Sequence, residues 1–186
     1  EMVFEYILKQ NGLDPQKDLS IDQSIDFCST AAAFAGDDSA DFTVEFEPSA
    51  TALEKEGTGH VVASLGVESG YVPYTSYSAK TSYLKEYPDV IQKFTNGLQM
   101  GMEFVREHTP EEIAQVIAPQ FPETDMETLT TIVKRYHEQD TLKENLIFEK
   151  ESFELLQDIL EDAGELSRRM PYEKLVTVEY AEKAAE

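Results

Sequence analysis

The sequence of 186 residues predicts an α/β fold: a mostly parallel sheet in the first part and a helix-rich second part. Three observations carry that prediction. Over the first 66 residues the apolar pattern switches repeatedly between a period near 3.6 and a period of 2. The resulting order is helix, strand, helix, strand, helix, strand, which is the signature of strands laid side by side with helices packed on them. After Gly70 one more strand follows, and amphipathic helices then dominate to the end of the chain.

In order along the chain, Val3, Phe4, Ile7 and Leu8 form one apolar helical stripe, closed by Asn11-Gly12. Leu19, Ile21, Gln23 and Ile25 alternate as a strand over 19–25. "STAAAFAGDD" reads as a short helix, with Ser29 or Thr30 as N-cap and Gly36 at its end. Phe42, Val44 and Phe46 alternate with Thr43, Glu45 and Glu47 as a second strand, and Pro48 then starts a helix over 49–56 closed by Gly57. "HVVASLG" is a short buried strand, and "YVPYTSYSA" the strand after the change of pattern. Pro88 suits the first turn of a long helix with Val90, Ile91, Phe94, Leu98, Met102 and Val105 on one stripe, and Gly97 and Gly101 on adjacent turns are expected to allow close packing. "TPEE" at 109–112 is a capping box, Thr124 or Asp125 starts the next helix, and helices over 150–163 and 178–185 complete the chain. The lone strand of this second part cannot bury both its faces, so its sheet partners are expected elsewhere.

The formal net charge of −22 and a pI near 4.3 argue against nucleic acid and against docking on anionic membranes, both of which need clustered Lys and Arg. Cys28 is the one cysteine, so no internal disulfide forms, and no zinc or CxxC spacing exists. The chain opens on Glu1 and reads as helix almost at once, which points to processing or truncation. GxSxG, P-loop, GxGxxG and HExxH motifs are absent, and neither a metal nor a cofactor is expected. His60, His108 and His137 have no ligand-spaced neighbour, and Cys28 reads as a small packing residue without a placeable base.

In an open parallel sheet, ligands sit beyond the carboxyl ends of the strands. That draws attention to the loops "SIDFCST", "EFEPSA" and "SLGVESGYVPY". Glu47 ends its strand directly before Pro48 and is the leading candidate. Glu45 is equally well explained as a strand edge. Asp26, Phe27 and Ser29, with Thr30, occupy the equivalent place after the preceding strand, where backbone N–H groups at a helix start can receive a polar group. Tyr74 offers a stacking face and a polar tip, with Tyr71 and Tyr77 close in sequence, although packing explains these rings as well. Between Lys17 and Lys80 the only basic side chains are Lys55 and His60. A neutral or cationic, hydrogen-bond-rich ring therefore fits such a face better than an anion.

"YILKQNGLDPQKD", "FEPSATALEKEGTGHVVASLG" and "VPYTSYSAKTSYLKEYPDVIQKFTNGLQMGMEFV" together resemble ABC-transporter solute-binding proteins of the nitrate, sulfonate and thiamine-pyrimidine-precursor family. The resemblance implies a two-lobed periplasmic-binding-protein fold in which hinge closure traps a small ligand for a membrane permease and its ATPase. On that plan, 1–66 is most of the second lobe, 67–73 the return hinge, and 74–186 the helix-rich C-terminal part of the first lobe. The family's N-terminal half-lobe, signal sequence and lipid-anchor cysteine are then missing here. A second copy covering the exposed sheet edge becomes an expected partner. The resemblance also implies an extracytoplasmic location, in the periplasm or lipid-anchored at the outer face of the cell membrane. It places Glu47 toward the ligand, Asp26, Phe27 and Ser29 in the matching strand-to-helix loop, and Tyr74 at the hinge return. The implied role is a carrier, not an enzyme, with an aminopyrimidine-type thiamine precursor as ligand. Anion binders and a thiamine-pyrimidine biosynthetic enzyme of the same fold are the alternatives.

Overall fold

The computed structural model describes all 186 residues, Glu1 to Glu186. It contains eleven α-helices: α1 (Met2–Gln10), α2 (Thr30–Gly36), α3 (Ser49–Glu56), α4 (Leu65–Glu68), α5 (Thr81–Glu86), α6 (Pro88–Glu107), α7 (Pro110–Ile117), α8 (Met126–Glu138), α9 (Lys150–Asp162), α10 (Tyr172–Leu175) and α11 (Glu179–Ala184). Two 3-10 turns, Phe27–Ser29 and Ala118–Gln120, complete the regular structure.

There is no β-strand, and this overturns the α/β expectation together with its parallel sheet and the sheet edge a second copy was to cover. The stretches 19–25, 41–47, 60–64 and 71–79 are irregular, and no ladder joins them. Their alternating apolar side chains do not share a buried face: Phe42 is 75% and Tyr74 80% exposed. The physical reason is that a helix satisfies its own backbone groups, whereas a strand needs a second strand to receive its N–H and C=O groups. A period of 2 marks a segment able to pair; it does not supply the partner. Gly97 and Gly101 also depart from expectation. A Cβ added at either would meet nothing within 4 Å, so they floor a shallow apolar groove with Leu98, Met102, Val105 and Leu142 and do not hold a close helix contact.

The helices form where local chemistry starts and stops them. Pro88 opens α6. Thr109 and Glu112 complete the predicted capping box of α7, the Thr109 side chain accepting from the Glu112 N–H while the Glu112 carboxylate accepts from the Thr109 N–H. Asp125, not Thr124, caps α8 by accepting from the Thr128 N–H at 2.9 Å. Gly57, at φ +73°, ends α3 in the left-handed region that glycine adopts without a Cβ penalty.

The chain divides into two compact units. One comprises Glu1–Ile7, Leu65–His108 and Asp140–Glu186; the other comprises Leu8–Ser64 and Thr109–Gln139. They are called here the α6 unit and the α8 unit. In the α6 unit, α6 packs on α11 and α5, and α9 on α10. Its buried side chains include Phe153, Ile159 and Ala181. Tyr172 joins Phe148 and Phe153 in edge-on ring contacts and donates its hydroxyl to the Phe148 carbonyl. In the α8 unit, α7 packs on α8, and α3 on both α2 and α8. Leu8, Leu53, Ile113, Ala114, Leu129, Ile132 and Val133 are its buried apolar residues. Each fully buried Leu, Ile or Val contributes roughly 1.5–3 kcal/mol over its exposed state, so this small group is what holds α3, α7 and α8 together.

Candidate functional site

The α8 unit gathers five of the six residues the sequence singles out. The 3-10 turn Phe27–Ser29 is closed by the Ser29 N–H donating to the Asp26 carbonyl at 2.7 Å, and Thr30 Oγ1 donates to the Phe27 carbonyl at 2.9 Å. With its backbone fixed this way, Phe27 stays 60% exposed. Its ring meets Phe46 edge-on, with centroids 5.1 Å apart and planes at 71°. The loops after Ile25 and after Glu45 therefore converge on one aromatic face. Asp26 is exposed beside Phe27, and Glu45 is half-buried beside Phe46 with Thr43 Oγ1 donating to it at 2.8 Å. Tyr74 belongs to the other unit, in the stretch where Tyr77 meets Phe94 edge-on at 5.2 Å.

Glu47 directly follows Phe46 in the chain but is turned into the structure. Its side chain is only 6% exposed. Glu47 Oε2 accepts from the Thr51 N–H at 3.1 Å, and Oε1 accepts from the Arg135 guanidinium. The same guanidinium donates to Thr51 Oγ1 at 3.0 Å and to Glu54 Oε2 at 2.5 Å. Glu54 Oε1 in turn accepts from the Val61 N–H at 2.9 Å. Two carboxylates and one guanidinium thus form a closed, partly desolvated cluster at the Pro48 corner, with a formal charge of −1.

The electrostatics follow from those contacts. Glu54 is held below the usual carboxylate range, first by the Val61 N–H and then, against some opposing desolvation, by Arg135. Burial pulls the Arg135 guanidinium down, but its hydrogen bonds to Glu54 and Glu47 outweigh this and leave it raised. A second link ties α3 to α8: Lys55 donates to Thr128 Oγ1 at 2.6 Å and reaches both Asp125 oxygens at 3.3 Å. Asp125 is held far below its ordinary value, first by the Thr128 side chain and N–H and then by Lys55.

Arg135 brings to Glu47 a guanidinium from outside the stretch between Lys17 and Lys80, where only Lys55 and His60 are basic. It lies 88 positions along the chain from Glu47, and no local motif links the two. One signal was present: Thr128, Ile132 and Arg135 share one face at i, i+4 and i+7, so a charged side chain stands on the buried stripe of α8. Such a residue calls for a carboxylate partner.

The α6 unit contains a cavity of about 520 Å³, lined by Tyr71, Asp140, Lys143, Glu144, Glu149 and Ser152 among others. The Tyr71 hydroxyl donates to Asp140 at 2.6 Å, and Lys143 is turned back on the Ile147 carbonyl at 2.5 Å. No group of three or more His, Cys, Asp or Glu side chains has an arrangement that holds a metal ion.

Compared with known proteins, the chain is 40% identical over 183 residues to the Bacillus subtilis (strain 168) protein named "Putative binding protein YtlA". The match covers 98% of this chain and 54% of that protein, so the chain spans about half the length of its relative. No family model matches the chain, and no solved structure matches it.

Proposed function

We propose that this chain belongs to a solute-binding protein that carries a small, polar, ring-shaped ligand, and that the Phe27–Phe46 face makes part of the contact. The observation that carries the proposal is the 40% identity, across nearly the whole chain, to a protein named for binding. The face adds the chemistry. An exposed aromatic edge offers stacking surface, and the neighbouring Asp26 and Glu45 carboxylates accept N–H bonds from a protonated or amino-substituted ring. An aminopyrimidine-type thiamine precursor has that combination. Sulfonates and nitrate do not, and Arg135, the guanidinium on the Glu47 that follows Phe46, is already committed to Glu47 and Glu54.

In this proposal the protein works outside the cytoplasm, in the periplasm or anchored by lipid at the outer face of the cell membrane. It hands its ligand to the permease and ATPase of an ABC importer. It is a carrier: the ligand leaves chemically unchanged, and mass spectrometry after prolonged incubation recovers it intact. Calorimetry of the chain with 4-aminopyrimidine and, separately, with an alkylsulfonate tests the ligand class. Saturable heat with the aminopyrimidine is the expected result. Heat with the sulfonate alone overturns the assignment.

A further inference from the structure

We propose that Arg135 sets the charge selectivity of the Phe27–Phe46 face by compensating Glu47, the residue that follows Phe46. The inference rests on the binding role given to that face.

Glu47 directly follows Phe46, so its buried carboxylate is the charge next in the chain to the aromatic face that Phe46 helps to form. Arg135 is 18% and Glu47 6% exposed, so their fields are weakly screened by solvent and salt. The charged groups gathered here are Asp26 and Glu45, which flank the two rings in the chain, and the Glu47, Glu54 and Arg135 cluster that follows Phe46, with His60 adding a weaker pull on Glu54. With the guanidinium in place, the buried cluster carries a formal charge of −1, and the ligand meets mainly Asp26 and Glu45. Without it, one buried and one partly exposed carboxylate add their full charge near the rings. With Glu47 neutralised instead, Arg135 and Glu54 cancel. A flat cation is thus attracted in proportion to what Arg135 leaves uncompensated. A neutral ring of the same shape is indifferent to it.

Benzamidine and its neutral near-isostere benzamide read this difference directly. Their affinities for the 186-residue chain are measured by NMR titration in the wild type, Glu47→Gln, Arg135→Gln and the double variant. The ratio of benzamidine to benzamide affinity rises about tenfold in Arg135→Gln, falls about tenfold in Glu47→Gln, and returns to within about twofold of wild type in the double variant. Two opposite movements that cancel are the mark of charge. A structural role alone weakens both probes together and leaves the ratio still. Glu47→Gln keeps the shape and the Thr51 N–H contact, so it decides the matter even where Arg135→Gln does not fold. An unchanged ratio in Glu47→Gln, or no return in the double variant, overturns the inference while leaving the binding role intact. Failure of both probes and of 4-aminopyrimidine to bind the wild type overturns the face itself, and this inference with it.

Discussion

Arg135 and Arg169 are each surrounded by carboxylates, yet they do different work. Arg135 joins the Glu47 corner and α3 to α8, across sequence separations of 81–88 residues. Arg169 reaches Glu154, Asp158 and Glu161 on α9, only 8–15 residues back. Arg135 is 18% exposed and sits on a carboxylate that is nearly buried, whereas Arg169 is 38% exposed and its partners are open to water. Burial decides what such a clasp is worth. An exposed ion pair trades one set of water contacts for another. A buried one leaves a stranded charge when a partner is removed.

The largest expected effect follows from that contrast. Arg135→Ala leaves Glu47 and part of Glu54 desolvated without a cation. It destabilises the α8 unit by about 3 kcal/mol, the low end for a broken buried pair because Arg135 keeps some solvent contact. Urea unfolding followed by far-UV circular dichroism measures it. A loss no larger than that of Arg169→Ala would erase the distinction.

Acid tests the same clasp from the carboxylate side. Glu54 has a folded pKa below its unfolded value. Its contribution is therefore fully present above the unfolded value of about 4.3 and is lost as pH falls through the folded one. Asp125 acts in the same direction. Stability drops below about pH 4, and Glu54→Gln flattens that drop.

Capping comes next. Thr109→Ala removes the box that opens α7 and costs about 1 kcal/mol, read from the urea midpoint. Arg169→Ala is smallest, at about 1 kcal/mol or less. Salt separates the two clasps: near 1 M, where the Debye length is about 3 Å, the Arg169→Ala deficit vanishes and the Arg135→Ala deficit persists.

The same contrast between local and distant partners explains what the sequence reveals. Helix starts and stops at Pro88, Thr109 and Gly57 are legible because their chemistry lies within four or five residues. The alternation of Phe42, Val44 and Phe46 is equally clear in sequence, but a strand exists only with a partner, and none pairs with it. The sequence places Asp26, Phe27 and Ser29 on one loop and Glu45 and Glu47 on another. The meeting of those loops through Phe27 and Phe46 is tertiary. So is the inward turn of Glu47, because the residue that claims it comes from α8.

In the proposed role, the Phe27–Phe46 face holds a small solute. Aromatic ring-proton NMR of the selectively labelled chain, titrated with 4-aminopyrimidine, tests this residue by residue. Saturable shifts confined to Phe27, Phe46 and their neighbours, with Phe153 and Tyr172 of the α6 unit unmoved, are the predicted result. Shifts elsewhere with Phe27 and Phe46 silent would contradict it.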